Sequence, residues 1–301
     1  MAPITIAIPM NSGPEARFFE TYSTIRIGDR LIDLQTPKIM GILNVTPDSF
    51  FDGGRYETES AMLDHVELML REGATFIDVG AYSSRPGAAD IPPDEERSKA
   101  LFAVRKIAAS FPEAVISIDT FRSEVARACV DTGAHMVNDI SAGELDPHMP
   151  DVVASLGVPY IAMHMRGTPQ TMKSLTQYDD LLKEIVDYFH RKLALFNSKG
   201  IKDIILDPGF GFAKTIDQNF KLLNNFDYLR VCGRPILAGL SRKSMIWRTL
   251  NQSAADALNG TTALNSIALT KGASILRVHD VAKANEVIQL FTAMRNAAAG
   301  D

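Results

Sequence analysis

Eight short apolar runs in this chain stop at groups able to do chemistry: Asn44, Asp78, Asp119, Asn138 with Asp139, His164, Asp207, Lys243, and Arg277 with His279. A buried strand commonly ends at a polar residue, so any one of these is explained without a function. The coincidence across every run is harder to explain that way, because strand C-termini that converge on one mouth would line it with carboxylates, amides, cations and imidazole. Such a set can hold a polar ring and stabilise negative charge. Arg277 and His279 stand two positions apart, on one side of an extended strand, as paired donors suited to phosphate. In GLSRKS, Arg242 and Lys243 lie between Ser241 and Ser244 near the expected start of a helix, a setting that also suits an anion.

The segments that follow the apolar runs carry a second kind of signal. NVTPDSFFDGG, residues 44–54, holds Pro47, Gly53 and Gly54, which a simple turn would explain, together with Phe50 and Phe51, which it would not. Two aromatics on a solvated loop are what a lid over a flat substrate would use. GAYSSRPG places Arg85 between Ser84 and Pro86, again in loop chemistry. In DPGFGFAK, residues 207–214, the glycines permit close backbone approach, and Phe210 and Phe212 either wall an aromatic ring or tuck into the core.

The elements that must position these groups follow from the apolar runs themselves: KIMGILNV, TFIDVGA, AVISIDT, HMVNDI, PYIAMHM, DIILDPG, PILAGLS and ASILRVH. Near-continuous hydrophobicity suits strands covered on both faces, as in a parallel sheet, which requires helical crossovers. Residues 58–72 supply one, with Ala61, Met62, His65, Leu68 and Met69 at helical spacing and Gly73 at the C-terminus. Residues 95–110, 123–132, 178–199, 256–271 and 282–299 read similarly. The alternation predicts an α/β fold, a (β/α)8 TIM barrel, in preference to an open doubly wound sheet. TIRIGDRLIDL predicts a small hairpin turning at Gly28-Asp29 and plugging the bottom of the barrel, so residues 1–37 form an N-terminal extension and residues 38–301 the barrel.

Composition narrows the partners. A formal charge of −5 supplies no broad positive field for a nucleic acid, and no apolar run is long enough to span a bilayer. Cys129 and Cys232 are in no metal spacing and read as buried free thiols of a reducing compartment. The opening MAPITIAIPM lacks the basic segment of a secretion signal, so a cytoplasmic location is expected.

Taken in order from about Lys38 to Asp280, NVTPDSF, SRPG, SIDT, VNDI, MHM, DPGFGF, GLSRKS and RVHD strongly resemble the dihydropteroate synthase family. The resemblance implies a TIM barrel, commonly homodimeric. It also implies the joining of (7,8-dihydropterin-6-yl)methyl diphosphate to 4-aminobenzoate with magnesium, giving 7,8-dihydropteroate and diphosphate. Carried over by residue, it implies that Asp119, Asn138, Asp207 and Lys243 hold the pterin. Asn44, Arg277 and His279 would then hold the diphosphate, with Asn44 also a magnesium ligand, and Ser84, Arg85, Pro86, Phe212 and Ser244 would form the aminobenzoate site. Asp119, Lys243, Arg277 and His279 carry the catalytic roles in this reading.

The chain departs from the family pattern at Tyr82, where an acid is usual, at Ser84, where threonine is usual, and at Phe51, where a small serine is common. Three other readings compete. A pterin-dependent methyltransferase would share the carboxylate and asparagine contacts, but its methyl donor needs no diphosphate clamp. A Schiff-base aldolase would use Lys243 as nucleophile in a desolvated setting, with Arg242 lowering its pKa further. A non-catalytic pterin-binding module would bind without turnover.

Overall fold

A computed structural model describes residues 22–45, 55–83 and 90–298 of the protein. Each apolar run of the sequence contains one strand of a single parallel sheet. These are β3 (Lys38–Asn44), β4 (Phe76–Gly80), β5 (Val115–Asp119), β6 (Met136–Asp139), β7 (Tyr160–Met163), β8 (Ile204–Asp207), β9 (Leu237–Ala238) and β10 (Ile275–Val278). They are ordered β8-β7-β6-β5-β4-β3-β10-β9. A parallel bridge between Leu206 and Ile236 brings the first and last of these together and turns the sheet into a barrel. The strands are buried on both faces, which is why they lack the polar alternation of a half-solvated sheet.

Helices connect the strands on the outside: α1 (Arg55–Arg71), α2 (Pro93–Ser110), α3 (Ser123–Thr132), α4 (Met149–Leu156), α5 (Leu181–Ser198), α6 (Ile216–Asn224), α7 (Ser244–Thr249), α8 (Leu258–Thr270) and α9 (Val281–Ala298). In α1 the buried stripe is Met62, Val66 and Met69, while Ala61 and Leu68 face solvent, so the row read from the sequence mixes two faces. Helices α4 and α6 were not foreseen. Both are short, and the usable signal for α6 was its N-terminus: Thr215 caps the Gln218 amide while the Gln218 side chain accepts from the Thr215 amide, a reciprocal box.

The hairpin forms as the sequence predicts. Strands β1 (Thr24–Ile27) and β2 (Arg30–Asp33) pair antiparallel with Ile27 opposite Arg30, and Gly28 takes the positive φ of +57° that the tight turn demands. Alternation along β1 buries Ile25 and Ile27 and exposes Thr24 and Arg26. Ile25, Ile27 and Leu34 then pack with one residue from each of the eight barrel strands, from Met40 of β3 to Ile275 of β10. Those residues lie toward the strand N-termini, so the hairpin closes the barrel floor and leaves the C-terminal mouth for polar groups.

Truncation of a fully buried floor residue leaves a cavity that the rigid barrel cannot collapse to fill. Ile25→Ala is expected to lower unfolding free energy by about 2–5 kcal/mol, measured by urea denaturation, with ligand affinity at the opposite end unchanged in the folded variant.

Candidate active site

One row of the barrel sets the geometry of the mouth. Asn44 of β3 pairs with Gly80 of β4, Gly80 with Asp119 of β5, and Asp119 with Asn138 of β6. Asn44 and Asp119 flank Gly80: a Cβ there would stand 3.6 Å from Asp119 Oδ2 and 3.8 Å from Asn44 Oδ1, ordinary contact distances. Two residues earlier on β4, the same strand face carries Asp78, fully buried.

Arg277 crosses the barrel to meet this group. Its Nε donates to Asp78 Oδ2 and its Nη2 to Asp119 Oδ2, both at 2.6 Å, while Asn138 Nδ2 donates to the same Asp78 oxygen at 3.0 Å. One guanidinium thus serves two carboxylates away from bulk water. Burial pushes Asp119 up to about 7 despite the opposing pull of Arg277, with the negative charge of Asp78 adding to the rise. Burial disfavours the Arg277 charge, but Asp78 and Asp119 together hold its pKa well above the ordinary value. Asp78 Oδ1 and Ser117 Oγ, one position across on β5, are buried without a hydrogen-bond partner among the described residues.

A second wall comes from the end of β8 and the loop after it. Asp207 Oδ1 accepts from the Gly209 amide at 2.7 Å, which starts the turn. Gly209 itself takes φ +71°, and any Cβ there would lie 2.1 Å from the His164 carbonyl, so the position admits only glycine in this backbone. The turn delivers Phe212 beneath Lys243, whose Nζ lies 4.4 Å from the ring centre. Burial lowers Lys243 to about 8 while Asp207 works to keep it charged. Burial raises Asp207 in turn, opposed by the Gly209 amide and by Lys243. Next to this wall, His279 Nδ1 is 3.0 Å from Ser241 Oγ, and that hydroxyl also accepts from the His279 amide.

The comparisons with known proteins agree with this geometry. Residues 40–279 match the family model described as pterin binding enzyme. The chain is 41% identical over 268 residues to the dihydropteroate synthase of Escherichia coli (strain K12), covering 88% of this chain and 94% of that one. The chain belongs to the dihydropteroate synthase family. Its fold superposes on the Yersinia pestis dihydropteroate synthase in complex with a sulfonamide drug with a TM-score of 0.85 at 37% identity, covering 91% of this chain and 99% of that one. The Xanthomonas albilineans dihydropteroate synthase with 4-aminobenzoic acid superposes with a TM-score of 0.84 at 36% identity, covering 91% and 98%.

The barrel brings most of the residues read from the sequence of this dihydropteroate synthase family member to one end of the sheet. Asn44, Asp119, Asn138, Asp207, Lys243, Arg277 and His279 lie at C-terminal strand ends or past them, with Phe212 on the loop after β8 and Ser244 at the first position of α7. Ser84, Arg85, Pro86, Phe50 and Phe51 lie outside the described residues. Other strand-end groups prove structural. Asp139 turns to the opposite face from Asn138, where it accepts from the Ser141 and Gly143 amides, the Ser141 hydroxyl and the Tyr160 hydroxyl. Arg242 grips Asp280 through Nε at 2.9 Å and Nη2 at 2.8 Å and also donates to the Ala254 and Ala255 carbonyls, so it does not serve as a mouth cation. Phe210 stacks on Phe226 in the core, 6.0 Å between centres, leaving Phe212 alone of the pair at the mouth.

Asp78 is the site residue that sequence reasoning named as a strand end and then left without a role. Its signal was its place two residues before Gly80 on the inward face. Tyr82, standing where an acid is usual in the family, packs edge-on to Phe121 and beneath Arg122, and its hydroxyl accepts from Gln170 at 3.1 Å. The rings and the guanidinium accommodate an aromatic side chain here without an unpaired buried charge.

A carboxylate whose folded pKa is raised contributes stability that is full below its unfolded value, near 3.8, and is lost as pH rises through about 7. Asp119→Asn removes that loss. The variant is therefore expected to gain on the unliganded wild-type protein progressively between pH 4 and pH 8, reaching roughly 2 °C or more in Tm, read by calorimetry across that range. A difference that stays constant with pH would contradict the raised pKa.

Proposed function

We propose that the protein is a transferase that makes 7,8-dihydropteroate from (7,8-dihydropterin-6-yl)methyl diphosphate and 4-aminobenzoate, releasing diphosphate. The observation that carries this reading is the convergence of Asp207, Lys243 and Phe212 from one side and Asn138, Asp119 and Arg277 from the other on a single mouth, in a chain matching dihydropteroate synthases over most of both lengths. A pterin offers an amino group and a ring N–H side by side. Asp207 accepts both, with Oδ1 already oriented by the Gly209 amide. Asn138 supplies a donor and an acceptor, Lys243 meets the ring carbonyl, and a wrong ring would leave these buried groups unpaired.

In this proposal the bond between the pterin methylene carbon and the diphosphate oxygen breaks, the aminobenzoate nitrogen forms the new bond to that carbon, and the amine gives up one proton. Charge on the leaving group is the main obstacle. Arg277, anchored through Nε to Asp78, keeps Nη1 without a partner among the described residues and offers it to the diphosphate, and His279, two residues on and held at Ser241 Oγ, is proposed as the second donor. The Asp119 carboxylate stabilises the electron-poor methylene. It must be ionised to do so, and Arg277 favours that form. Phe212 and Ser244, with Ser84, Arg85 and Pro86, are proposed to receive the aminobenzoate; the ring of Phe212 beside the cation of Lys243 supports this for a flat anionic substrate.

Magnesium is proposed as the metal. Asn44 Oδ1 is a hard oxygen across Gly80 from the Asp119 carboxylate, and such donors suit an ion drawing its remaining ligands from water and substrate phosphates. When bound it supplies charge neutralisation for the diphosphate. A homodimer is also proposed, supported by Ile267 of α8 and Leu290 and Met294 of α9, exposed apolar side chains on neighbouring outer helices.

The test is diphosphate release by purified protein given the pterin diphosphate and magnesium, with and without 4-aminobenzoate, and chromatographic detection of dihydropteroate. Aminobenzoate-dependent product is expected, with kcat/KM falling roughly 100-fold or more in Asp207→Ala and in Arg277→Ala. Pterin binding with no product from the unaltered protein would sink the transferase reading and favour a binding module.

A further inference from the structure

Lys214 is a buried lysine that the proposed mechanism does not use; burial lowers its pKa to about 7 while the Asp207 carboxylate works to keep it charged. Its Nζ lies 3.1 Å from His164 Nδ1, 3.0 Å from the Gly209 carbonyl and 3.1 Å from the Phe212 carbonyl. An ammonium has three donors and no acceptor, so this set of three acceptors satisfies it completely. A neutral amine would turn its lone pair toward one of them. Meeting all three requires His164 to be uncharged with its proton on Nε2. Burial holds the imidazole pKa well below the usual value, and the charge of Lys214 lowers it further.

The two carbonyls bracket the segment that carries the pterin and aminobenzoate groups. Gly209 is the residue whose amide orients Asp207, and Phe212 is the residue whose ring lies under Lys243. The loop turns sharply through Gly209 at φ +71° and Gly211 at φ +81°, which glycine adopts freely, and then through Ala213 at φ +48°, a strained conformation for a residue with a side chain, immediately before Lys214. His164, the third partner, is clamped at the end of β7 by an edge-on contact with Tyr188 at 4.9 Å, and its own amide donates to the Asp207 carbonyl. Lys214 therefore ties the loop after β8 to the end of β7, on both sides of Asp207. Its charge also acts on Asp207 from behind, together with Lys243 and Arg277 from the mouth.

We propose that Lys214 is a positioning residue for pterin recognition: by holding the Gly209 and Phe212 carbonyls against His164, it aims the Asp207 carboxylate into the mouth. This rests on the pterin reading of the site. The proposal assigns Lys214 no contact with substrate, so its effect must pass through Asp207.

The experiment is a double-mutant cycle on binding of 6-hydroxymethylpterin, which carries the ring without the diphosphate, alongside kcat and KM for the full reaction. Lys214→Met keeps length and volume and removes the donors. It is expected to weaken pterin binding about tenfold or more, the scale of losing hydrogen bonds to a charged group, and to raise KM for the pterin diphosphate by a larger factor than it lowers kcat. In an Asp207→Asn background the same substitution is expected to change pterin binding less than threefold, because the carboxylate it aims is already gone. Equal losses in the two backgrounds, or unchanged pterin binding in Lys214→Met, would overturn the proposal and leave Lys214 as a stabilising residue only. Should Lys214→Met not fold, His164→Leu removes the side-chain acceptor and carries the same expectation in both backgrounds. Failure of the unaltered protein to bind the pterin would count against the functional reading, whereas normal binding with additive losses would count against Lys214 alone.

Discussion

A guanidinium shared by two carboxylates inside a barrel mouth constrains everything built around it. Arg277 reaches Asp78 and Asp119 from the far end of the chain, 199 and 158 residues away in sequence, and the fully buried Asp78 depends on that guanidinium for its charge partner. The barrel must close so that β10 lies beside β3, which brings Arg277 within reach of Asp78 and Asp119. Both carboxylates engage Arg277 through Nε and Nη2, so this part of the mouth is ordered by the chain's own charges. Burial makes the Asp119 charge unfavourable, and Arg277 offsets only part of that cost.

The opposite end of the barrel supplies the compensating stability. Its floor is an apolar layer drawn from every strand and sealed by the hairpin, whereas toward the mouth two buried polar atoms, Asp78 Oδ1 and Ser117 Oγ, have no hydrogen-bond partner among the described residues. Separating the two along the strand axis lets the polar end carry strain and charge while the other end remains close-packed. The loop after β8 shows the same division on a smaller scale. Phe210 turns into the core against Phe226, and Phe212, two residues on, turns to the mouth beside Lys243.

Much of this was legible in the sequence. The eight apolar runs announced the strands because parallel strands covered on both faces must be apolar throughout, and the polar residues ending them announced the mouth. The hairpin was equally plain, since TIRIGDRLIDL alternates and turns at glycine. Local pattern also sufficed for the family motifs, which are contiguous loops such as DPGFGF. Helices α4 and α6 were missed because they are short, and in α6 the Thr215–Gln218 capping box, rather than a long amphipathic stripe, marks the start.

What only the tertiary structure decided was which polar side chain faces which way and what it meets there. Asn138 and Asp139 are adjacent and equally polar, yet strand alternation sends one to the mouth and the other into a knot with Tyr160. Arg242 and Lys243 form one basic pair in sequence, but a positive φ at Arg242 turns its side chain to Asp280 and leaves Lys243 to the mouth. Asp78 meets Asn138 and Arg277, 60 and 199 residues away, and Lys214 meets His164, 50 residues away. The physical reason is that hydrophobic periodicity is a local property written along the chain, whereas the pairing of buried charges depends on distances set only when the barrel closes.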